Sequence, residues 1–259
     1  MNNLWLTIIT VTKDDANGLT RTLGSAAKLR AAGAEHVVID GSSDATASAR
    51  LVAEAGQGIT LLLRPPRGVA DAFNAGLTEA HGDWVWFLNG GDAVHETLDP
   101  GWLFSLLAAT RADIVTGALH FDGESAPRPI PHLSYQWPLI ACWLAHPTTL
   151  VRRKMLLSAG GFDQRWRIAM DYDLWFRLLR RDAIVDVVSV PFARFDVKGL
   201  SERQETRGAA RAEEARVVLA HCRRLGCTTV WLCLRVVRRI SWALWRSLMP
   251  RFGGKHEVR

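Results

Sequence analysis

Two short stretches carry carboxylates in settings where a folded chain can use them. Val38-Ile39-Asp40-Gly41-Ser42-Ser43-Asp44 passes from an apolar run into an acid, small residues and a second acid. A carboxylate at such a strand end is suited to accept hydrogen bonds from a base N–H or a ribose hydroxyl, while Asp44 reads equally as the N-cap of a following helix. Trp86-Phe87-Leu88-Asn89-Gly90-Gly91-Asp92 drives an aromatic strand into two glycines and an acid. Glycines admit a ligand close to the backbone, and an Asp on a rigid strand end can hold a divalent cation against a diphosphate; alone, the stretch also reads as a plain turn.

Such residues act together only if the elements before them end on one rim. Leu4 to Thr12 is rich in Ile, Thr and Val, as a buried strand should be, and a helix over Leu19 to Arg30 and a strand over His36 to Ile39 follow. The pattern repeats with a helix over Asp44 to Ala55, a strand over Ile59 to Leu63, a helix over Val69 to Ala80 and a strand over Trp84 to Leu88. This alternation predicts an α/β fold, a mostly parallel sheet flanked by helices, whose ligands lie at the carboxyl ends of the strands. Lys13-Asp14-Asp15, Asp40 to Asp44 and Asn89 to Asp92 all fall there. Further on, Leu98 to Thr110 reads as a helix with Pro100 in its first turn, and Asp113 to Leu119 as a strand. Asp122 to Pro138, with four prolines, reads as a loop, Asp171 to Arg181 as a helix, Ile184 to Val190 as a strand, and the chain beyond Ser201 as helical.

The order Ile39-Asp40-Gly41-Ser42-Ser43-Asp44, Gly68-Val69-Ala70-Asp71-Ala72-Phe73-Asn74-Ala75-Gly76 and Phe87-Leu88-Asn89-Gly90-Gly91-Asp92 resembles the family 2 glycosyltransferases of GT-A (Rossmann-like) fold. The likeness continues through His146-Pro147-Thr148-Thr149, Gly160-Gly161-Phe162-Asp163 and Met170-Asp171-Tyr172-Asp173-Leu174-Trp175-Phe176-Arg177-Leu178, spanning residues 4 to 201. It implies an inverting transfer from a nucleotide-diphosphate sugar to an acceptor hydroxyl. By position, Asp40 contacts the nucleoside, with Thr12, Ser42, Asn89, Gly90 and Gly91 around the donor and Asp71 and Asn74 on the helix beneath it. Asp92 matches the last acid of the metal-binding motif, which implies Mn2+ or Mg2+, and Asp171 matches the catalytic base. Such a base removes a proton that becomes acidic only late in the transfer, while positive charge at the diphosphate stabilises the leaving group. His146 is implied near the acceptor, Asp173 is the second-choice acid one helix face away, and Lys198 and Ser201 fall in a loop that closes over the diphosphate. Each also has a structural reading: Asp171 as an N-cap, Asp71 as a helix-start acid, His146 beside Pro147 as a buried structural ring, Lys198 as a solvated lysine. Trp137, Trp143 and Trp166 are suited to stack on sugar rings or lipid, or to pack in the core. Four positions depart from the family's pattern: Pro66 and Met170 stand where acids are common, Gly91 where the first acid of the metal motif is usual, and Lys198 in place of a glycine.

At 259 residues, with 48% hydrophobic and 22% charged, the chain has an ordinary globular mixture. The net charge of +6 is unevenly placed: from Leu200 onward 13 Lys/Arg face 5 Asp/Glu, leaving 19 against 21, or −2, before it. A core without excess basic charge argues against nucleic acid as a partner. Cys142, Cys222, Cys227 and Cys233 show no zinc-type spacing, and the apolar run at Leu4 to Val11 is too short to span a bilayer. From Thr228 to Met249, Arg235, Arg238, Arg239 and Arg246 share one helical stripe while Leu, Val, Ile and three Trp cover the rest. Four arginines at about 2.5 to 3.5 kcal/mol each oppose insertion, so this reads as a helix lying on the inner leaflet or packed on the domain. The expected organisation is a catalytic domain over 1–200 and a helical, membrane-associating extension over 201–259. It would sit in the cytoplasm, on the inner face of the membrane, and act on a lipid-linked or glycan acceptor in cell-surface polysaccharide synthesis. Two other classes compete: a sugar nucleotidyltransferase, for which Thr10 to Gly18 lacks the Gly-rich basic loop, and a catalytically silent nucleotide-sugar-binding protein.

Overall fold

A computed structural model describes residues 6–65, 67–130, 144–196 and 207–225. Leu6–Thr12 (β1), Glu35–Asp40 (β2), Ile59–Leu63 (β3) and Trp84–Phe87 (β4) pair in parallel, in the order β3-β2-β1-β4. The inner strands of this set are near-continuous apolar runs because helices cover both of their faces. Beyond β4 the sheet is mixed. Thr149–Arg152 (β7) runs antiparallel both to β4 and to Ile114–Phe121 (β6), Val185–Phe195 (β8) is parallel to β6, and Ala93–Val94 (β5) pairs antiparallel with β8. Four of the seven pairings are parallel, so the mostly parallel sheet stands, with an antiparallel insertion that helix–strand alternation did not predict.

Side chains along β1 alternate between two apolar layers. Leu6 and Ile8 join Leu29, Trp84, Trp86, Leu103 and Leu107 on one face; Ile9 joins Val37, Ile39, Phe73, Phe87 and Trp175 on the other. The first layer lies beneath Ala27–Ala31 (α2) and Pro100–Ala109 (α5), while Ala16–Ser25 (α1) and Thr46–Glu54 (α3) pack together over Val38. The single helix expected over Leu19 to Arg30 is two, divided at the fully buried Ala26. The second layer lies beneath Val69–Glu79 (α4), Arg153–Ser158 (α6) and Met170–Leu179 (α7). Gly76 lets α4 press onto the sheet: a Cβ there would stand 2.4 Å from Ile9 Cγ2 and 2.7 Å from Ile39 Cδ1. A larger residue would lift α4 from the two strands whose ends form the rim.

Arg207–Leu225 (α8) packs on α7, with Val217, Val218 and Cys222 against Ala169, Tyr172 and Phe176. The first helix of the expected 201–259 extension is therefore built into the wall behind α7. Pro66, Trp137, Trp143, Lys198, Ser201 and the amphipathic stretch Thr228 to Met249 lie outside the described residues. Among the described residues no helix is long and apolar enough to cross a membrane.

Candidate active site

The carboxyl ends of β1, β2 and β4 stand side by side. Asp40 is the register partner of Thr12, the Gly41 N–H donates to the Thr12 carbonyl (3.0 Å), and the Gly90 N–H donates to the Val11 carbonyl (2.9 Å). The turns at 40–42 and 89–92 therefore flank the end of β1. Asp40 is 1% exposed; its Oδ1 accepts from the Ser42 N–H (2.8 Å) and the Ser42 hydroxyl (2.5 Å). Ser42 Oγ in turn accepts from the N–H of Asp14 (2.7 Å), a non-glycine residue in the left-handed region at φ 52°. Ser42 is thus a brace for Asp40 and for the loop after β1. Asp40 Oδ2 is buried and has no hydrogen-bond partner among the described residues. Asp44 faces outward, accepting from the Thr46 N–H (2.9 Å) at the start of α3.

On the other flank Thr22, fully buried on α1, clamps the glycine turn. Its hydroxyl lies 2.6 Å from the Asp92 carbonyl and 3.2 Å from the Asn89 carbonyl, and accepts from the Gly91 N–H at 3.0 Å. Asp92 is 2% exposed; its Oδ1 accepts from the Asp196 N–H (3.1 Å), and its Oδ2 is buried without a partner among the described residues. Burial pushes the Asp92 carboxyl up to about 7, against hydrogen bonds from the Asp196 N–H and Asn89, with the Asp196 charge adding to the rise. Arg21 is forked onto Asp122 on the same side, with its Nη2 2.8 Å from Asp122 Oδ1.

α7 carries the third acid. Asp171 is half-buried, with its Oδ1 accepting from the Tyr172 N–H at 2.7 Å, and burial lifts its carboxyl to about 6. It is not the helix cap: Ala169 holds that position, and Glu213 of α8 accepts the N–H groups of Ile168 (2.7 Å) and Ala169 (2.9 Å). His146 packs against rings of the second apolar layer, 5.2 Å from that of Phe73, 5.9 Å from that of Phe87 and 6.3 Å from that of Trp175. Both His146 nitrogens are buried without partners among the described residues, and burial lowers its pKa to about 4, so the ring is neutral near pH 7.

Three residues expected at the donor or acceptor have other partners. Asn74 exchanges two hydrogen bonds with the Phe162 backbone, both 2.8 Å, and so ties the Gly160–Phe162 turn to α4. Asp173 is buried between Arg177 Nε (2.7 Å) and His221 Nε2 (2.9 Å). Burial raises its pKa, but the bonds from His221 and Arg177 outweigh this and leave it lowered. Both have the contacts of fold clamps, set by partners 88 and 48 residues away that local spacing could not reveal. Asp71 lies in the first turn of α4, 3.3 Å from Gln164 Nε2, and Trp166 packs against the core between α7 and α8.

The family model described as glycosyl transferase family 2 matches residues 7–187. The chain belongs to that family. This family 2 glycosyltransferase is 26% identical over 218 residues to an uncharacterised glycosyltransferase of Mycobacterium tuberculosis, covering 77% of this chain and 78% of that one. It is 25% identical over 196 residues to a PGL/p-HBAD biosynthesis glycosyltransferase of Mycobacterium bovis, covering 69% of this chain and 71% of that one. Among solved structures it resembles a mannosyltransferase of Pyrobaculum calidifontis in complex with GDP-Man and Mn2+, with a TM-score of 0.60 and 18% identity, covering 85% of this chain and 63% of that one. The GT-A fold expected from the sequence is thus the observed one. Sequence reasoning missed Thr22, Asp196 and Glu213 in this glycosyltransferase. The signal available for Thr22 was a polar residue between Leu19 and Leu23 on the buried face of α1.

Proposed function

We propose that this glycosyltransferase inverts the sugar centre, with Asp40 at the nucleoside, Asp92 at a divalent cation and Asp171 as the base. The observation that carries the reading is the pair of buried, unpartnered carboxylate oxygens, Asp40 Oδ2 and Asp92 Oδ2, one on each side of the end of β1. An unpaired buried carboxylate oxygen is costly, so two of them on one rim read as contacts held ready for a ligand. Asp40 is suited to a ribose hydroxyl or base N–H, with Thr12 beside it.

The residues at Asp92 fit a hard divalent cation: an oxygen donor, buried, with a second carboxylate beside it and no histidine or thiol required. Bound there, such a cation would supply Lewis-acid stabilisation of charge building on the leaving diphosphate. Asp171 accepts the acceptor hydroxyl's proton as that oxygen bonds to the anomeric carbon from the side opposite the diphosphate, which inverts the configuration. The neutral His146 ring packs among Phe73, Phe87 and Trp175 beneath the rim. For the acceptor we favour a lipid-linked glycan, with the chain peripheral on the inner membrane face. The basic, Trp-bearing stretch at Thr228 to Met249 supports that reading, as does the named role of the Mycobacterium bovis relative.

A thermal-shift screen of UDP, GDP and dTDP sugars with and without Mn2+ tests the reading. A donor at a hundred times its Kd stabilises the native state by about 2.7 kcal/mol, which raises Tm measurably. The shift should vanish in Asp40→Ala. No response to any sugar nucleotide overturns the proposal, and binding without donor hydrolysis or transfer points instead to a silent binding protein.

A further inference from the structure

Resting on the reading of Asp92 as a cation ligand, we propose that Asp196 is a second carboxylate of the same site, supplied from the end of β8 into the space that Gly91 leaves open. Asp196 and Asp92 are 104 positions apart in sequence, yet the Asp196 N–H donates to Asp92 Oδ1 at 3.1 Å. Gly91 has φ 103°, and a Cβ there would lie 2.9 Å from Asp196 Oδ2, 3.4 Å from its Cβ and 3.6 Å from its Cγ. The Asp196 carboxylate therefore occupies the volume that a side chain at 91 would fill. Position 91 offers no acid of its own, and β8 brings one to the same place.

A second observation points to a ligand at this spot. Asp92, 2% exposed, has Oδ1 engaged by the Asp196 N–H while its Oδ2 is buried without a partner among the described residues. No group of three or more His, Cys, Asp or Glu side chains able to hold a metal occurs among the described residues. Two carboxylates, with substrate phosphates completing the coordination, are a donor set suited to Mg2+ or Mn2+. This arrangement also explains why β5 pairs with β8: that pairing, Ala93 to Arg194, fixes the two acids one and two residues beyond it.

The competing explanation is that Asp196 only ends β8 through its backbone N–H. Asp196→Asn keeps that bond, the side-chain volume and the contact with Gly91, and removes the charge. Full-length protein is titrated with Mn2+ alone while the free-ion signal is followed by electron paramagnetic resonance, and Tm is recorded without metal. The expected result is that Asp92→Asn abolishes uptake and Asp196→Asn weakens it at least about tenfold. The metal-free Tm of Asp196→Asn shows that the variant is folded, so that weakened uptake is read on native protein. Wild-type uptake in Asp196→Asn overturns the role of Asp196 while leaving that of Asp92 intact. Absence of uptake by the wild-type chain overturns both. Asp196→Ser, too short to reach a shared cation, repeats the comparison if the amide variant folds poorly.

Discussion

Asp171 has an ordinary value of 3.8 displaced to about 6, first by burial and then by the charges of Glu214 and Glu213, against hydrogen bonds from the Tyr172 N–H and its own N–H. As the base proposed above, Asp171 must work as the carboxylate, so the displacement should set where activity begins. We expect kcat/KM to fall below pH 6 with a slope of one, measured as transfer rate against pH. The stability argument has the opposite sign. A carboxyl whose folded pKa is raised contributes stability that is full below about 3.8 and is lost as pH rises through about 6. Asp171→Asn resembles the protonated form, so at pH 7.5 it should melt no lower than the wild type while transfer falls ~10² to 10⁴-fold. A Tm that drops with activity would make Asp171 a structural acid instead. Thr22 behaves oppositely: Thr22→Val leaves the Gly91 N–H and the Asp92 carbonyl without their clamp. That should cost about 1 to 3 kcal/mol by denaturant titration and loosen the cation site in the same variant.

The helix that carries Asp171 is held by another helix rather than by its own sequence. Ala169 at the N-cap of α7 has no side chain to accept an N–H, and Glu213 of α8 accepts two. One turn further along, Asp173 closes on His221 while its other oxygen takes Arg177. Glu213→Ala should therefore cost about 0.5 to 2 kcal/mol, the range for a lost cap, seen as a lowered denaturant midpoint. Glu213→Gln keeps an acceptor and removes a charge, so stability should recover while the acid limb of the pH profile moves down, away from pH 6. Asp173→Ala leaves a buried cation unpaired and should cost about 3 to 5 kcal/mol, so its loss of activity would follow its loss of fold. These contacts show why the sequence reads well in some places and not in others. Asp40 and Asp92 were legible because a strand, a glycine and an acid are neighbours in the chain, and the apolar periodicity that placed β1 to β4 is equally local. β7 escaped notice because four residues, Thr149–Arg152, are too few for an alternation to register, although they join the two halves of the sheet. The partners of Asn74, Asp173 and Asp196 were hidden for one reason: each lies 48 to 104 residues away, a relation that spacing does not encode.

At the scale of the whole molecule, charge and packing change at different points along the chain. The charge changes sign at Leu200, where −2 gives way to +8, but packing continues through α8, whose buried Val217, Val218, His221 and Cys222 face α7. Two truncations separate the two boundaries. Removing 207–259 uncovers Ala169, Tyr172 and Phe176 and strips Glu213 and His221 from α7, so that chain should fail to melt cooperatively. Removing only 226–259 leaves every one of those contacts and should preserve Tm and the Mn2+ titration. It also takes away seven Lys/Arg against a single Glu, together with Trp231, Trp242 and Trp245. Each cation near an anionic leaflet contributes about 1 kcal/mol, and the Trp side chains add apolar contact at the headgroups. The shorter chain should therefore lose sedimentation with vesicles containing anionic phosphatidylserine, and the full chain's binding should weaken as salt is raised from low to physiological strength. A shortened chain that still sediments with those vesicles would place the membrane contact on residues 1–225, whose 25 Lys/Arg against 25 Asp/Glu leave no net positive charge and make that the less favourable surface.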